Sequence, residues 1–265
     1  MASGIGAISK AGFFTVLAVA IAFQLGFLNS VISTIQIFFG IGKTLQPLSD
    51  FPYQCRRLTD PRLESCEDMW VSEQRRELFL ACSDSTARLH WFPTMDNFNL
   101  AGRSQKDAMV VIDLDQPELA SGEVKFRELK LQGFDGPAGD GLLDLLGFTG
   151  TALEDGRVRF LMVNLKPSVD PATGAYAKDQ AAVGANSTVE IFETTADGQS
   201  LEYIRTISSP HIATPNRVAA FGEEGFYVIN DHGKAKSGQV RFVSFYNCAA
   251  ISEKTLTPLA RSLPN

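Results

Sequence analysis

The segment from Asn186 to His232 decides the fold of this chain: NSTVEIFETTADGQSLEYIRTISSPHIATPNRVAAFGEEGFYVINDH. Its first half predicts two antiparallel strands, STVEIFET and SLEYIRTI, joined by a turn at Asp197-Gly198. A loop with Pro215-Asn216 follows, and GFYVIND then predicts a third strand that ends on polar residues. Strand, turn, strand, loop, strand is the order in which one propeller blade passes to the next.

Short apolar runs separated by turn residues continue this pattern from about residue 60 onward. They include ELFLACS (77–83), AMVVIDLD (108–115), VRFLMVNL (158–165) and VRFVSFY (240–246). The main candidate for a helical turn is GDGLLDLLGF (139–148). The pattern predicts an all-β sandwich, barrel or propeller, and the residues alone do not separate these three.

The N-terminal segment is apolar. No charged residue lies between Lys10 and Lys43, an interval long enough for a membrane helix, which needs about 20 apolar residues. The apolar character continues past the small residues at 18–20, which favours an uncleaved signal anchor over a cleaved signal peptide, with a buried core helix as the third alternative. We therefore expect an anchor at 1–43, a proline-containing linker at 44–60 and a β domain at 61–265.

Composition excludes several classes of function. The net charge is −6 and no basic run exists, so a nucleic-acid partner is not expected. Four cysteines without a CxxC pair exclude a zinc ribbon and a thioredoxin-like motif but leave three disulfide pairings open: Cys55, Cys66, Cys82 and Cys248. The absence of G-x-S-x-G, P-loop and dinucleotide motifs disfavours serine-hydrolase, kinase and nicotinamide chemistry.

Several motifs occur in the same order as in the serum paraoxonase/arylesterase family of six-bladed β-propellers, which this chain resembles. They are STVEIF, the Pro-Asn loop, VAAFG and the FY..ND-H run, preceded by a Glu-Asp pair in Ser65-Cys-Glu-Asp68. The similarity runs from about Cys55 to the C-terminus and is strongest after Phe160. The resemblance implies three to four blades of an incomplete propeller. It also implies a bond from a cysteine placed as Cys55 to one near the chain's end, yet none follows Cys248.

The resemblance also implies a calcium site, since calcium takes hard oxygen ligands. It assigns Glu67, Asn216 and the last residue, Asn265, to a catalytic calcium. It assigns Asp68 and the backbone carbonyl of Phe148 to a structural calcium. By composition alone, the Glu-Asp pair is an ordinary solvated turn and the Pro-Asn pair an ordinary loop.

Three positions depart from the family pattern. Leu146 and Leu165 stand where the family has the two histidines of a general-base relay, and leucine cannot accept a proton. Arg217 stands where the family has an Asp ligand, and its charge repels a cation. His211, five residues before Asn216, is the remaining candidate base, against the plainer interpretation of a loop histidine bonded to backbone.

These features predict a calcium-dependent hydrolase of lactones or aryl esters, impaired by truncation and by the missing histidines. Its partners would be a small ester or lactone and a membrane, contacted through the N-terminal helix. The expected location is the secretory pathway, at the endoplasmic reticulum or the extracellular face, where the sequon Asn186-Ser-Thr188 would make it a glycoprotein. The alternative is a catalytically silent, membrane-anchored propeller that acts as a binding or interaction module.

Overall fold

The N-terminal helix forms a unit of its own. The computed structural model describes residues 4–53, 55, 57–136, 138–221, 225–232 and 247–252, and the chain divides into two units after Arg57. Helix α1 (Gly4–Phe39) contains a 28-residue stretch, Gly12–Phe39, with mean hydropathy 2.0 and no buried part. At about 1.5 Å per residue this stretch exceeds the ~30 Å hydrocarbon core of a bilayer. By length and composition α1 can cross a membrane, a test that a signal sequence also meets.

The second unit is built from short strands, which confirms the predicted β-rich fold behind an N-terminal apolar helix. Its one short α-helix is α2 (Gln180–Val183), within the described residues. The strands are β1 (Cys66–Ser72), β2 (Glu77–Cys82), β3 (Trp91–Phe92), β4 (Asn97–Phe98), β5 (Ala108–Asp113), β6 (Phe126–Glu128), β7 (Lys130–Gln132), β8 (Leu145–Ala152), β9 (Val158–Asn164), β10 (Thr188–Thr194), β11 (Ser200–Ile207), β12 (Pro215–Phe221), β13 (Gly225–Asn230) and β14 (Asn247–Ser252).

These strands form three main sheets. The first sheet has the order β1-β2-β5-β6, the second β7-β11-β10-β9-β8 and the third β12-β13-β14, while β3 and β4 pair separately. Neighbouring strands are antiparallel except β7 and β11, which are parallel. Each sheet has one edge strand that contacts a neighbouring sheet: β1 in the first, β8 in the second and β12 in the third. Strand β1 contacts β8, and β8 contacts β12.

Two apolar layers hold the three sheets face to face. Alternate side chains of a strand point to opposite faces, so the second sheet contributes to both layers. One layer lies between the first and second sheets and includes Phe79, Met109, Phe148, Phe160 and Phe192. The other lies between the second and third sheets and includes Leu161, Val189, Ile191, Val218 and Phe226. The central strand β10 is buried at all seven positions because both of its faces are covered.

Strand β8 carries two glycines where its neighbours come close. A Cβ at Gly147 would lie 2.2 Å from the carbonyl oxygen of Asn216 and 2.9 Å from the Cα of Arg217. A Cβ at Gly150 would lie 2.6 Å from the ring of Trp70. Glycine is therefore required at Gly147, since a backbone neighbour cannot move aside as a flexible side chain can.

Strand β8 also corrects one sequence prediction. The run 139–148 is not a helical turn, because its last four residues belong to β8, which pairs antiparallel with β9 through Leu145 and Phe148 with a register shift between them. Its apolar residues suited either structure, and the pairing decided between them.

The cysteines on the first two strands form a disulfide. Cys66 and Cys82 are opposite each other in the β1–β2 ladder, with Cα atoms 3.9 Å apart, and their sulfurs are bonded. Cys55 is exposed and free. Cys248 is on β14, where the side chain lies outside the described part of the chain.

Candidate functional site

The carboxylate of Asp68 lies where the three edge strands meet. It is 6% exposed, and one oxygen accepts a hydrogen bond from the backbone N–H of Phe148 on β8 at 3.1 Å. The other oxygen accepts from the N–H of Met69 at 2.9 Å and from the guanidinium of Arg217 on β12. The structure brings Asp68 and Phe148 together through the N–H of Phe148, whereas the resemblance assigned its carbonyl as a calcium ligand.

Glu67 precedes Asp68 on β1, at a register shift between Cys66 and Asp68. Its carboxylate is half-exposed and pairs with the guanidinium of Arg88, with Oε2 and Nη1 3.0 Å apart. Arg88 also donates to the carbonyl of Leu145 at 3.0 Å and lies over the ring of Phe92. Sequence analysis missed Arg88, because a pair separated by 21 residues leaves no local motif.

Asn216 is half-buried at the beginning of β12, next to a register shift between Pro215 and Arg217. Its amide donates to both carboxylate oxygens of Asp231, at 2.9 and 3.0 Å. The sequence named Asp231 only as part of the ND-H run. In the structure Asp231 is the direct partner of the predicted ligand Asn216.

The loop before Asn216 is fixed by the end of β13. The buried side chain of Asn230 accepts from the N–H groups of Ala213 and Thr214, each at 3.0 Å, and donates to the carbonyl of His211 at 3.0 Å. The N–H of Asp231 donates to the carbonyl of Thr214 at 2.9 Å. His211, Asn216 and Asp231 therefore belong to one hydrogen-bonded group.

The three histidines have different surroundings. His211 is exposed, and its backbone N–H donates to the hydroxyl of Ser209 at 3.2 Å. His232 is half-buried, with Nε2 3.1 Å from the carbonyl of Thr94. His90 lies 3.3 Å from the amide of Asn99. The main chain of His211 is held by hydrogen bonds as the plainer interpretation expects, while its ring is on the surface.

Two of the departures from the family pattern lie in the core. Leu146 is 1% exposed and Leu165 is 3% exposed, and both pack in the layer between the second and third sheets. The carbonyl of Leu165 accepts a hydrogen bond from the indole of Trp91 at 3.0 Å. These positions are apolar packing sites in this chain. Asn265 lies outside the described residues.

A buried ionic cluster that sequence analysis did not anticipate lies around Arg103. Its guanidinium donates to Asp144 at 2.7–3.0 Å and to Asp140 and the hydroxyl of Tyr176 at 2.6 Å. Burial raises the pKa of Asp144 to about 7 and, together with the hydrogen bond to Asp140, the pKa of Tyr176 to about 12. Because Tyr176 belongs to the long loop 166–185, the cluster fastens that loop to the sheets.

A half-buried carboxylate, that of Asp107, lies beside this cluster. Asp107 accepts from the hydroxyl of Ser83 at 2.6 Å and from the N–H of Leu145 at 2.8 Å. Burial raises the pKa of Asp107 as well. Both carboxylates have internal partners, so they serve the structure of the unit.

The residues at the two implied calcium positions differ in how well they suit the ion. Asp68 does not fit, because a guanidinium already contacts its carboxylate. Asn216 and Asp231 are adjacent, but the amide N–H2 of Asn216 faces the carboxylate, so this amide would have to turn for its oxygen to bind calcium beside the carboxylate, the donor chemistry that calcium prefers. Glu67 is engaged by Arg88, and no three His, Cys, Asp or Glu side chains converge on a metal site among the described residues.

Comparison with known families supports the resemblance over part of the chain. Residues 172–243 match the family model named Arylesterase, which is less than half of the sequence. The matched segment includes β10–β13 and both His211 and Asn216. This segment is thus related to the paraoxonase/arylesterase family. A search of curated proteins gives no match.

Proposed function

We propose that this protein is a slow ester or lactone hydrolase of the paraoxonase/arylesterase type, held at a membrane by α1. The observation that carries the proposal is the family match over residues 172–243, since that segment contains the hydrogen-bonded group of His211, Asn216 and Asp231. Family membership at this level indicates ester chemistry, and the residues of the site decide how much of it this chain retains.

The sheet arrangement supports a propeller as the scaffold of this activity. Three largely antiparallel sheets stand face to face, and the edge strands β1, β8 and β12 follow one another in contact. Blades of a propeller have this relation, with their inner strands around a common axis. In such a propeller β1 and β12 would be inner strands, which would put Asp68 and Asn216 near the axis.

Hydrolysis of an ester needs a base for the attacking water and a positive group for the developing oxyanion. Asn216 and Asp231 are the residues that would hold a calcium ion, which would supply a Lewis acid for the ester carbonyl. We assign the base to His211, whose surface ring is carried by the same hydrogen-bonded group. The rate should be low, because Leu146 and Leu165 offer no relay.

The secretory location rests on two described features. The Cys66–Cys82 disulfide is typical of oxidising compartments. In the sequon, Thr188 is 1% exposed and its hydroxyl donates to Glu190 at 2.6 Å, while Asn186 is half-buried. A glycan at Asn186 would therefore be attached before this edge of the unit folds.

The proposal is tested with the full chain in detergent micelles, using an aryl acetate and a lactone, with calcium or with a chelator. We expect slow turnover that calcium increases and that Asn216→Ala abolishes. His211→Ala should lower the rate at least tenfold, whereas His90→Ala, which changes a histidine outside this group, should not. Turnover that is unaffected by Asn216→Ala would refute the proposed site.

A binding module without catalysis is the second candidate, and the buried Leu146 and Leu165 favour it. It predicts that a lactone raises the melting temperature of the chain while no product forms. Product formation distinguishes the two candidates directly.

A further inference from the structure

The carboxylate of Asp68 pairs with a cation that the chain itself supplies, the guanidinium of Arg217. A buried carboxylate is costly unless it is paired and hydrogen-bonded. Here each of the three edge strands supplies a part of the arrangement: Asp68 from β1, the N–H of Phe148 from β8 and the guanidinium of Arg217 from β12. The pair joins residues 149 positions apart in sequence, so it links the first and third sheets across the second.

The backbone of Arg217 is held close to β8. Gly147 permits this approach, because a Cβ there would lie only 2.9 Å from the Cα of Arg217. The Arg217 side chain is 59% exposed, so its guanidinium reaches Asp68 from the solvent side while the carboxylate itself is 6% exposed. An arginine stays protonated at every physiological pH, so this positive charge is permanent.

We propose that Arg217 takes the place of a divalent cation at Asp68, so that the junction of β1, β8 and β12 is held together without a metal. One guanidinium balances one carboxylate, and a divalent ion added beside Arg217 would bring three positive charges against one negative charge. The same three strands therefore keep their arrangement when calcium is withdrawn. This inference concerns the fold and holds whether or not the chain hydrolyses esters.

The test is thermal unfolding of the full chain in detergent, with millimolar calcium or with excess chelator. All variants carry Asn216→Ala, so that calcium at the proposed catalytic position does not contribute. We expect the melting temperature of this parent to be the same in both solutions. Adding Arg217→Asp places a second carboxylate at the junction, so the variant should melt several degrees lower in chelator and regain stability in calcium.

Terbium luminescence gives a second measurement, since Trp70 is two residues from Asp68 and on the same face of β1. Arg217→Asp should gain a luminescence signal sensitised by this indole, and the parent should show none. Arg217→Lys is the matched control, because it keeps the charge and should remain insensitive to calcium. Adding Asp68→Asn to Arg217→Asp should remove the gained calcium response.

The inference is overturned if the parent melts higher in calcium than in chelator and Asp68→Asn removes that difference. It is also overturned if Arg217→Asp folds, as shown by an unchanged circular dichroism spectrum, yet responds to neither calcium nor terbium.

Discussion

At the scale of single residues, Gly147 sets how closely β12 approaches β8. Because glycine has no Cβ, the carbonyl of Asn216 fits against it. The close spacing of β8 and β12, which lets Arg217 reach Asp68, therefore depends on this glycine. The neighbouring atoms belong to a backbone that is itself fixed by the ladder with β13.

Gly147→Ala should therefore destabilise the second unit. Overpacking of a closed interior costs about 1–3 kcal/mol, and the 2.2 Å approach to a backbone atom points to the upper end. The measurement is denaturant unfolding followed by tryptophan fluorescence. Gly26→Ala, on α1 with open space around it, is the control and should leave this transition unchanged. Equal midpoints for Gly147→Ala and the parent would contradict the packing described for β8.

The disulfide between Cys66 and Cys82 should be a measurable part of the stability. The two residues are 16 apart, and closing a loop of that length contributes about 3 kcal/mol in the chain-entropy account. Replacing both by Ala should lower the free energy of unfolding by about that amount, whereas Cys55→Ala should have no effect because Cys55 is free. Alkylation before reduction provides a check: the parent should label at Cys55 and at neither Cys66 nor Cys82.

At the scale of elements, α1 and the buried carboxylates give separate predictions. For α1 we expect carbonate extraction to leave the full chain in the membrane pellet, since an uncharged, largely apolar stretch of 28 residues is long enough to span a bilayer. A variant with Val19→Lys and Phe23→Lys should be released, because charges near the middle of a span are costly. Recovery of the parent in the supernatant, with a mature start near Ile21, would show a cleaved signal peptide.

The cluster around Arg103 predicts how stability depends on pH. The folded pKa of Asp144, raised by burial to about 7 from 3.8, means that the native state holds this proton more tightly than the unfolded chain. Its contribution to the free energy of unfolding is thus fully present below about pH 4 and is lost as the pH rises to about 7. Urea unfolding across this range should show a downward trend that is smaller in Asp144→Asn. An equal trend in both proteins would contradict the assignment.

The strands themselves were largely readable from the sequence. Alternating and β-branched runs located β9, β10, β11 and β13, and the uncharged interval located α1. Strand β8 was not recognised, since its Leu- and Gly-containing run fits helix as well as strand until the pairing with β9 is known. A local apolar pattern therefore identifies a helix or a strand only when it fits the period of one and not that of the other.

The site was less accessible to sequence reasoning. The resemblance assigned Asp68 and Asn216 as calcium ligands, and in the structure Asp68 is buried and Asn216 is half-buried. Their partners Arg217 and Asp231, and the Arg88 partner of Glu67, depend on contacts between distant segments. The sequence did single out Arg217, because it stands where the family has an Asp ligand. The sequence analysis predicted only that its charge repels a metal ion, and not that it pairs with Asp68.

At the scale of the whole molecule, the proposed site and the Asp68–Arg217 pair share strand β12. The edge strands β1, β8 and β12 carry the Asp68–Arg217 pair and also the beginning of the Asn216 loop. If the Asp68–Arg217 ion pair holds these strands together, the Asn216–Asp231 pair is not needed for that purpose and can bind a ligand. The proposed hydrolase site and the proposed calcium-independent Asp68–Arg217 junction are therefore neighbours in the structure.

The most direct measurement of the central claim is the initial rate of aryl acetate hydrolysis by the purified full chain, compared with the same chain carrying Asn216→Ala. We predict a slow rate above the detergent blank that rises with calcium and disappears in Asn216→Ala, with the circular dichroism spectrum unchanged. A parent rate equal to the blank, or equal rates for the two proteins, would contradict the claim that this arylesterase-related chain hydrolyses esters at Asn216.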